Sequence, residues 1–239
     1  MDKYKVMFVD TETTGTCSMR EPYNEETLNS VWPFLTQVAW SVVEYEVKDS
    51  VLCNPNQTSN KSFFIKPTRF SEDEYSKEVV EKTRITYQML EQSGVLSSIV
   101  LADFFKTLEA VDFVVAHNAT FDMKVIKAEV FRLGWDNHMR VKPWIDSCYY
   151  GYQLTHLRQA NGRAKFPTLQ ELYNFIEGPK NFPHGRIEDT SHQADHDISS
   201  LQVCFEGLCS VSTTDKYGNT GPVLTAHRIA LILQKKSNS

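Results

Sequence analysis

Residues 6–15 read V-M-F-V-D-T-E-T-T-G, a short apolar run that ends in two carboxylates, Asp10 and Glu12, two positions apart. Side chains two apart on a strand leave the same face roughly 6.5–7 Å from one another, so both acids point the same way. Holding like charges that close costs on the order of a few kcal/mol in a protein-like dielectric, unless a cation sits between them or one takes a proton. A divalent metal ion at the end of this strand is the economical explanation.

Outward from that strand, residues 16–33 are polar and mixed, and residues 36–46 (T-Q-V-A-W-S-V-V-E-Y-E) are apolar and β-branched. This predicts a surface loop and a second strand. Residues 54–61 (N-P-N-Q-T-S-N-K) are dense in turn formers and lead into S-F-F-I-K at 62–66, so a third strand is expected to pair with the second as a hairpin. Ser71 and Glu74 hold the S-x-x-E spacing of a capping box and predict a helix running to about Thr83.

Leu96, Ile99, Val100, Phe104 and Leu108 then recur at helical period, and D-F-V-V-A-H at 112–117 has the character of a buried central strand. Met123, Ile126, Val130 and Leu133 mark a helix stopped by Gly134. A last strand is expected at 144–146, with helices at 168–176 and from Ala194 to about Leu208. The resulting order is β-β-β-α-α-β-α-β-α-α. It places one domain at 1–210 and leaves 211–239 as a C-terminal appendage with a short helix near 223–233.

Composition adds bounds to this picture. The 239 residues are 41 % apolar and 12 % aromatic, ample for a real core. A net charge of -5 offers no whole-molecule attraction to nucleic acid, so any polyanion must be held locally. The five cysteines are odd in number and contain no C-x-x-C, which suggests neither a disulfide framework nor a zinc site. The opening M-D-K-Y-K-V has no long apolar or Arg-rich amphipathic segment, so a soluble cytoplasmic protein without a membrane partner is expected.

Two further acidic sites accompany Asp10 and Glu12. In H-N-A-T-F-D at 117–122, Asp122 falls in the first turn of a helix, near the positive end of its dipole, and one turn before the inward-facing Ile126. Taken alone, it serves equally well to stabilise that helix start. In H-Q-A-D-H-D at 192–197, Asp197 lies three residues after Ala194 and four before Leu201, both on the apolar stripe, so its carboxylate borders the core. Carboxylates rarely sit there without a partner, the alternative being a solvated Asp at the edge of the stripe. His192 and His196 are spaced as a helical metal pair, but no other His or Cys cluster completes such a site. An imidazole titrating near pH 6.5 suits His192 better to the work of a general base.

With D-T-E-T-T-G, H-N-A-T-F-D and H-Q-A-D-H-D in that order, the chain resembles the DEDDh 3'-5' exonucleases. These include the proofreading exonuclease subunit of bacterial replicative DNA polymerases, oligoribonuclease and ribonuclease T. The resemblance runs from about Tyr4 to Leu208 and implies a ribonuclease H-like α/β fold: a five-stranded mixed sheet, its first three strands antiparallel, flanked by helices. It implies that Asp10, Glu12, Asp122 and Asp197 are the catalytic, metal-binding carboxylates and that His192 is the base. R-I-T-Y-Q-M-L at 84–90 is similar to a stretch that borders the substrate groove in relatives.

Four converging carboxylates carry a charge of about -4, which two Mg²⁺ ions roughly 3.5–4 Å apart would offset while handling a phosphate. Oxygen-only ligation suits Mg²⁺, with Mn²⁺ as a substitute, and not zinc. By the same resemblance Thr13 and Thr14 face the terminal sugar, while Asn118 and Phe121 shape its pocket. Phe121 serves equally well as a core aromatic.

Arg158 and Arg163, with His156 and Lys165, form the densest basic stretch and are candidates for substrate-phosphate contacts, with Lys180, His184 and Arg186 ahead of His192. The implied activity is hydrolysis of the terminal phosphodiester of single-stranded DNA or DNA 3' ends, releasing 5'-mononucleotides. An RNA-trimming exonuclease is the alternative, and a non-catalytic module that binds nucleic acid or a polymerase is a third reading. A polymerase partner is compatible with the resemblance, although Q-E-L-Y-N-F at 170–175 is a poor match to a clamp-binding peptide. The sequence leaves the oligomeric state open. Residues 16–33 are longer than the brief link common in relatives and are expected to cover or extend the groove.

Overall fold

The opening stretch folds as strand β1 (Lys3–Thr13), at the centre of one five-stranded sheet. The computed structural model describes residues 3–18, 20–135, 142–178, 194–214 and 220–237. Strands β2 (Leu35–Lys48) and β3 (Val51–Phe64) continue the sheet antiparallel on one side of β1. Strands β4 (Phe113–Ala116) and β5 (Trp144–Asp146) lie parallel on the other, giving the order β3-β2-β1-β4-β5. This is the mixed α/β sheet expected, with its first three strands antiparallel.

Parity along β1 decides what each residue meets. Val6 and Phe8 face helix α8 (Ala194–Ser210) and share a cluster with Ile198, Leu201 and Phe205, the Phe8 and Phe205 rings meeting edge-on at 5.6 Å. Met7 and Val9 face the other way, into helices α4 (Ser97–Glu109) and α5 (Ala119–Arg132). Both faces of the sheet are covered, which is why residues 6–9 read as an unbroken apolar run instead of an alternation.

The hairpin between β2 and β3 differs from expectation. Its turn is Asp49–Ser50, both with left-handed backbone (φ 52° and 65°), and β3 runs straight through residues 54–61. Two residues of positive φ match the twist of the flanking strands, as a type I′ turn does. The Asn- and Pro-rich stretch is tolerated because β3 is an edge strand, largely exposed and offset from β2 by two register irregularities.

A second difference lies at Ser71. Its capping box with Glu74 forms, but it closes only a single 3₁₀ turn, Glu72–Glu74. Helix α2 (Lys77–Thr83) starts afresh, with the Ser76 hydroxyl capping the Val79 amide, and ends on Arg84 at φ 61°. Helices α3 (Tyr87–Ser93) and α6 (Ser147–Thr155) were not expected from periodicity, both being short. Helix α7 (Leu169–Glu177) and α8 fall where predicted.

The long 16–33 segment contains helix α1 (Glu25–Ser30) and packs on the flank of α5. Tyr23 stacks between Trp32 and Phe131, with ring centroids 4.6 and 5.1 Å away. Arg132, near the end of α5, is the fastening: its guanidinium donates to the carbonyls of Leu28 (3.0 and 2.6 Å), Trp32 (2.6 Å) and Pro33 (3.2 Å) and pairs with Glu129 at 3.0 Å. The Phe34 ring lies 4.2 Å from it.

After α8 a two-stranded ribbon, β6 (Ser212–Thr214) and β7 (Thr220–Pro222), leads to helix α9 (Ala226–Ser237). Val223, Leu224 and Ile229 from this segment join the Phe8–Phe205 cluster. Among the described residues no helix is long and apolar enough to cross a membrane.

Candidate functional site

The site grows from a mismatch in strand length. β1 pairs with β4 from Val6–Phe113 to Phe8–Val115, then continues to Thr13 with β2 alone as its partner. β4 stops at Ala116, and the chain turns away through His117 and Asn118 into α5. A crevice opens where the two parallel strands part, at their carboxyl ends, as open α/β sheets commonly provide.

Parity then distributes the acids. Asp10 and Glu12 extend the face of Val6 and Phe8, and Asp197 meets them from α8; each of the three offers an oxygen within 4.8 Å of the others. Asp122 comes from the opposite layer on α5, is only 3 % exposed, and its Oδ1 accepts the Thr11 hydroxyl at 2.7 Å. Thr11 sits between Asp10 and Glu12 in sequence but points to the other face, so β1 grips both helical layers. All four carboxylates line one cavity of about 260 Å³.

The cavity is electrostatically unfavourable for anions alone. Burial, then Asp122, Asp197 and Glu12, hold the Asp10 carboxyl well above the usual range. Glu12 is pushed up to about 8 by burial and then by Asp197, with Lys82 acting in the opposite direction. Burial raises Asp122 to about 7, against the hydrogen bond from Thr11. In each case burial is the leading cause, and neighbouring carboxylates add to it. Three carboxylate oxygens at this spacing could hold a divalent metal ion.

The neighbouring candidates are placed variously. Thr13 is buried, lines the cavity and donates its hydroxyl to the Gly15 carbonyl at 2.6 Å. Thr14 is used to hold the chain: its amide donates to the Phe34 carbonyl (2.9 Å) and its hydroxyl accepts the Phe34 amide (3.0 Å). Asn118 lines the cavity in a left-handed conformation (φ 65°), a region Asn tolerates, and its amide donates to Asp146 Oδ1 at 3.0 Å. Phe121 lines the cavity and also packs on the Met7–Val9 core.

Arg158 and Arg163 stand outside the cavity on an exposed loop closed by a bridge between Arg158 and Ala164. His192 lies outside the described residues, as do Lys180, His184 and Arg186.

Thr11, His117 and Lys82 went unremarked in the sequence. For Thr11 a signal existed: strand alternation within D-T-E turns it toward α5. His117 is a strut, its Nε2–H donating to the Pro167 carbonyl (3.0 Å) and its Nδ1 accepting the Ser147 hydroxyl (2.9 Å). Burial pushes its pKa down, in keeping with a neutral ring. Lys82 reaches the cavity only because the C-terminal end of α2 abuts it, a tertiary fact without a local trace.

Comparison with known proteins follows the same direction. The exonuclease model RNase_T matches residues 7–201. Among solved structures, Escherichia coli exonuclease I in complex with a dT13 oligonucleotide is 18 % identical, with TM-score 0.59 over 86 % of this chain and 40 % of that one. Exonuclease I from Methylocaldum szegediense is 17 % identical, with TM-score 0.59 over the same shares of both chains. Exonuclease X in complex with 5' overhanging duplex DNA is 19 % identical, with TM-score 0.47 over 84 % of this chain and 90 % of that one. The chain thus spans 40 % of the exonuclease I chains it resembles. No curated protein sequence matches it.

Proposed function

The chain belongs to the RNase_T exonuclease family, and from that premise we propose that it is a metal-dependent 3'-5' exonuclease acting on single-stranded DNA or DNA 3' ends. The observation that carries this reading is the meeting of Asp10, Glu12 and Asp197 within 4.8 Å in a cavity that Asp122 also lines. Asp10, Glu12, Asp122 and Asp197 would hold two divalent ions. When bound, such ions supply charge neutralisation and electrophilic activation of the phosphate.

The residues of the chain do the rest. His192 takes the proton of the attacking water, which enters in line with the leaving 3'-oxygen, and a 5'-mononucleotide departs. Thr13, Asn118 and Phe121 enclose the terminal nucleoside.

The test uses 5'-labelled DNA and RNA oligonucleotides with Mg²⁺ or EDTA, comparing wild type with Asp122→Ala. A descending ladder that needs Mg²⁺ and disappears in the variant is expected. Immediate release of labelled mononucleotide would reverse the polarity, and a ladder on RNA alone would make the enzyme an RNA-trimming nuclease. A ladder undiminished in Asp122→Ala would remove the site assignment.

A further inference from the structure

Beside the candidate site stands a set of aromatic rings that neither the core nor the cavity uses. Tyr149 and Tyr152 are three residues apart on α6 and therefore neighbours on one side of the helix, and Tyr149 is 51 % exposed. Phe166 is 55 % exposed, and its ring centre lies 4.9 Å from that of Tyr152, the planes inclined by 34°.

The next residue, Pro167, is buried, and its carbonyl accepts the Nε2–H of His117, a residue lining the cavity. Phe166 is therefore one peptide unit, about 3.8 Å between Cα atoms, from a residue fixed to the cavity wall.

The segment that carries Phe166 is basic. From His156 to Gln170 the chain has no acidic residue, and it carries Arg158, Arg163 and Lys165. Lys165 pairs with Glu171 at 2.5 Å. Arg158 donates to the Gly162 carbonyl at 3.0 Å, closing the loop and leaving both arginines exposed on it. Exposed rings beside exposed arginines are what single-stranded nucleic acid needs: a flat apolar surface for any base and cations for the intervening phosphates.

We propose that the Tyr152–Phe166 pair is a stacking platform for a base of the substrate strand upstream of the terminal nucleotide, with Arg158 and Arg163 on the adjoining phosphates. This rests on the exonuclease reading above and extends it from the terminal nucleotide to the strand behind it. Stacking uses the π face that every base shows, so the platform is indifferent to sequence.

The test is fluorescence anisotropy with a short labelled oligothymidylate, with Ca²⁺ in place of Mg²⁺ to hold turnover off. Phe166→Ala is expected to raise the Kd about tenfold and Phe166→Trp to restore it, whereas a strand of abasic residues binds all three proteins alike. Alongside, the p-nitrophenyl ester of thymidine 5'-monophosphate, which has no upstream base, should be hydrolysed by Phe166→Ala at the wild-type rate. The platform is overturned if Phe166→Ala leaves the Kd within about twofold of wild type, if it weakens the abasic strand equally, or if wild type has no affinity for the strand. Failure of wild type to hydrolyse the ester or to degrade DNA would overturn the nuclease reading instead, while the anisotropy would still decide the platform.

Discussion

Replacing Arg132 by Met should cost this fold about 3–5 kcal/mol, the range for removing one partner of a buried ion pair. The Arg132 side chain is 1 % exposed, and its guanidinium is shared among the carbonyls of Leu28, Trp32 and Pro33 and the Glu129 carboxylate. Met has a similar length and preserves the apolar stem, so the loss is of donors and not of volume. Three carbonyls and one carboxylate are then left buried without this partner, each at about 1–3 kcal/mol before the segment relaxes toward water. Relaxation is available because residues 16–33 can lift off α5, and this caps the total below the sum of its parts.

For a chain of this size each kcal/mol moves Tm by about 2–4 °C, so a fall of roughly 6–20 °C is expected in scanning fluorimetry. Urea titration supplies the free energy. The location is checked by amide hydrogen exchange, which should quicken at residues 28–34 well before the sheet. Glu129→Gln in the Arg132→Met background should recover about 1–2 kcal/mol by removing the stranded charge. A Tm within about 2 °C of wild type, or a loss without faster exchange at 28–34, would refute the view that this guanidinium fastens the segment.

Three further outcomes follow from the same structure. Because folded Glu12 and Asp122 titrate near 8 and 7, above their unfolded values of 4.5 and 3.8, the folded metal-free protein binds more protons than the unfolded chain in between; its Tm should fall as pH rises from about 4 to 8, and added Mg²⁺ should restore Tm more at pH 8 than at pH 5. A Tm that rises over that interval would contradict this. Thr11→Val keeps the shape but removes the donor at 2.7 Å from the buried Asp122, so stability should drop by about 1–2 kcal/mol in urea and nuclease turnover should fall with it. Ser50→Gly, at φ 65° in the β2–β3 turn, should stabilise the protein by about 0.5–1 kcal/mol with activity unchanged, and a loss of stability would show that the turn does not favour the glycine.

What the sequence revealed was whatever one element could display by itself. The pairing of Asp10 with Glu12 is a property of strand parity. The inward position of Asp122 follows from its spacing to Ile126, and the order of strands and helices along the chain follows from apolar runs and helical periods. What stayed hidden depended on contacts between elements. Residues 54–61 resembled a turn because an edge strand with mostly exposed side chains carries no burial pattern. The true turn, Asp49–Ser50, lacks the glycine that would have announced it. Lys82, the Arg132 fastening and the hydrogen bond from the Phe34 amide to the Thr14 hydroxyl all join segments distant in sequence.

The division of β1 between two helical layers also has a consequence in time. Its acids must meet a helix that begins at Ala194, and its Thr11 must meet a residue 111 positions away. Contacts of such separation are the late ones in folding, since each waits on closing a long loop. A chain still emerging from the ribosome thus carries Asp10 and Glu12 before Asp197 is there to join them, so the acidic cluster is complete only when the last layer docks.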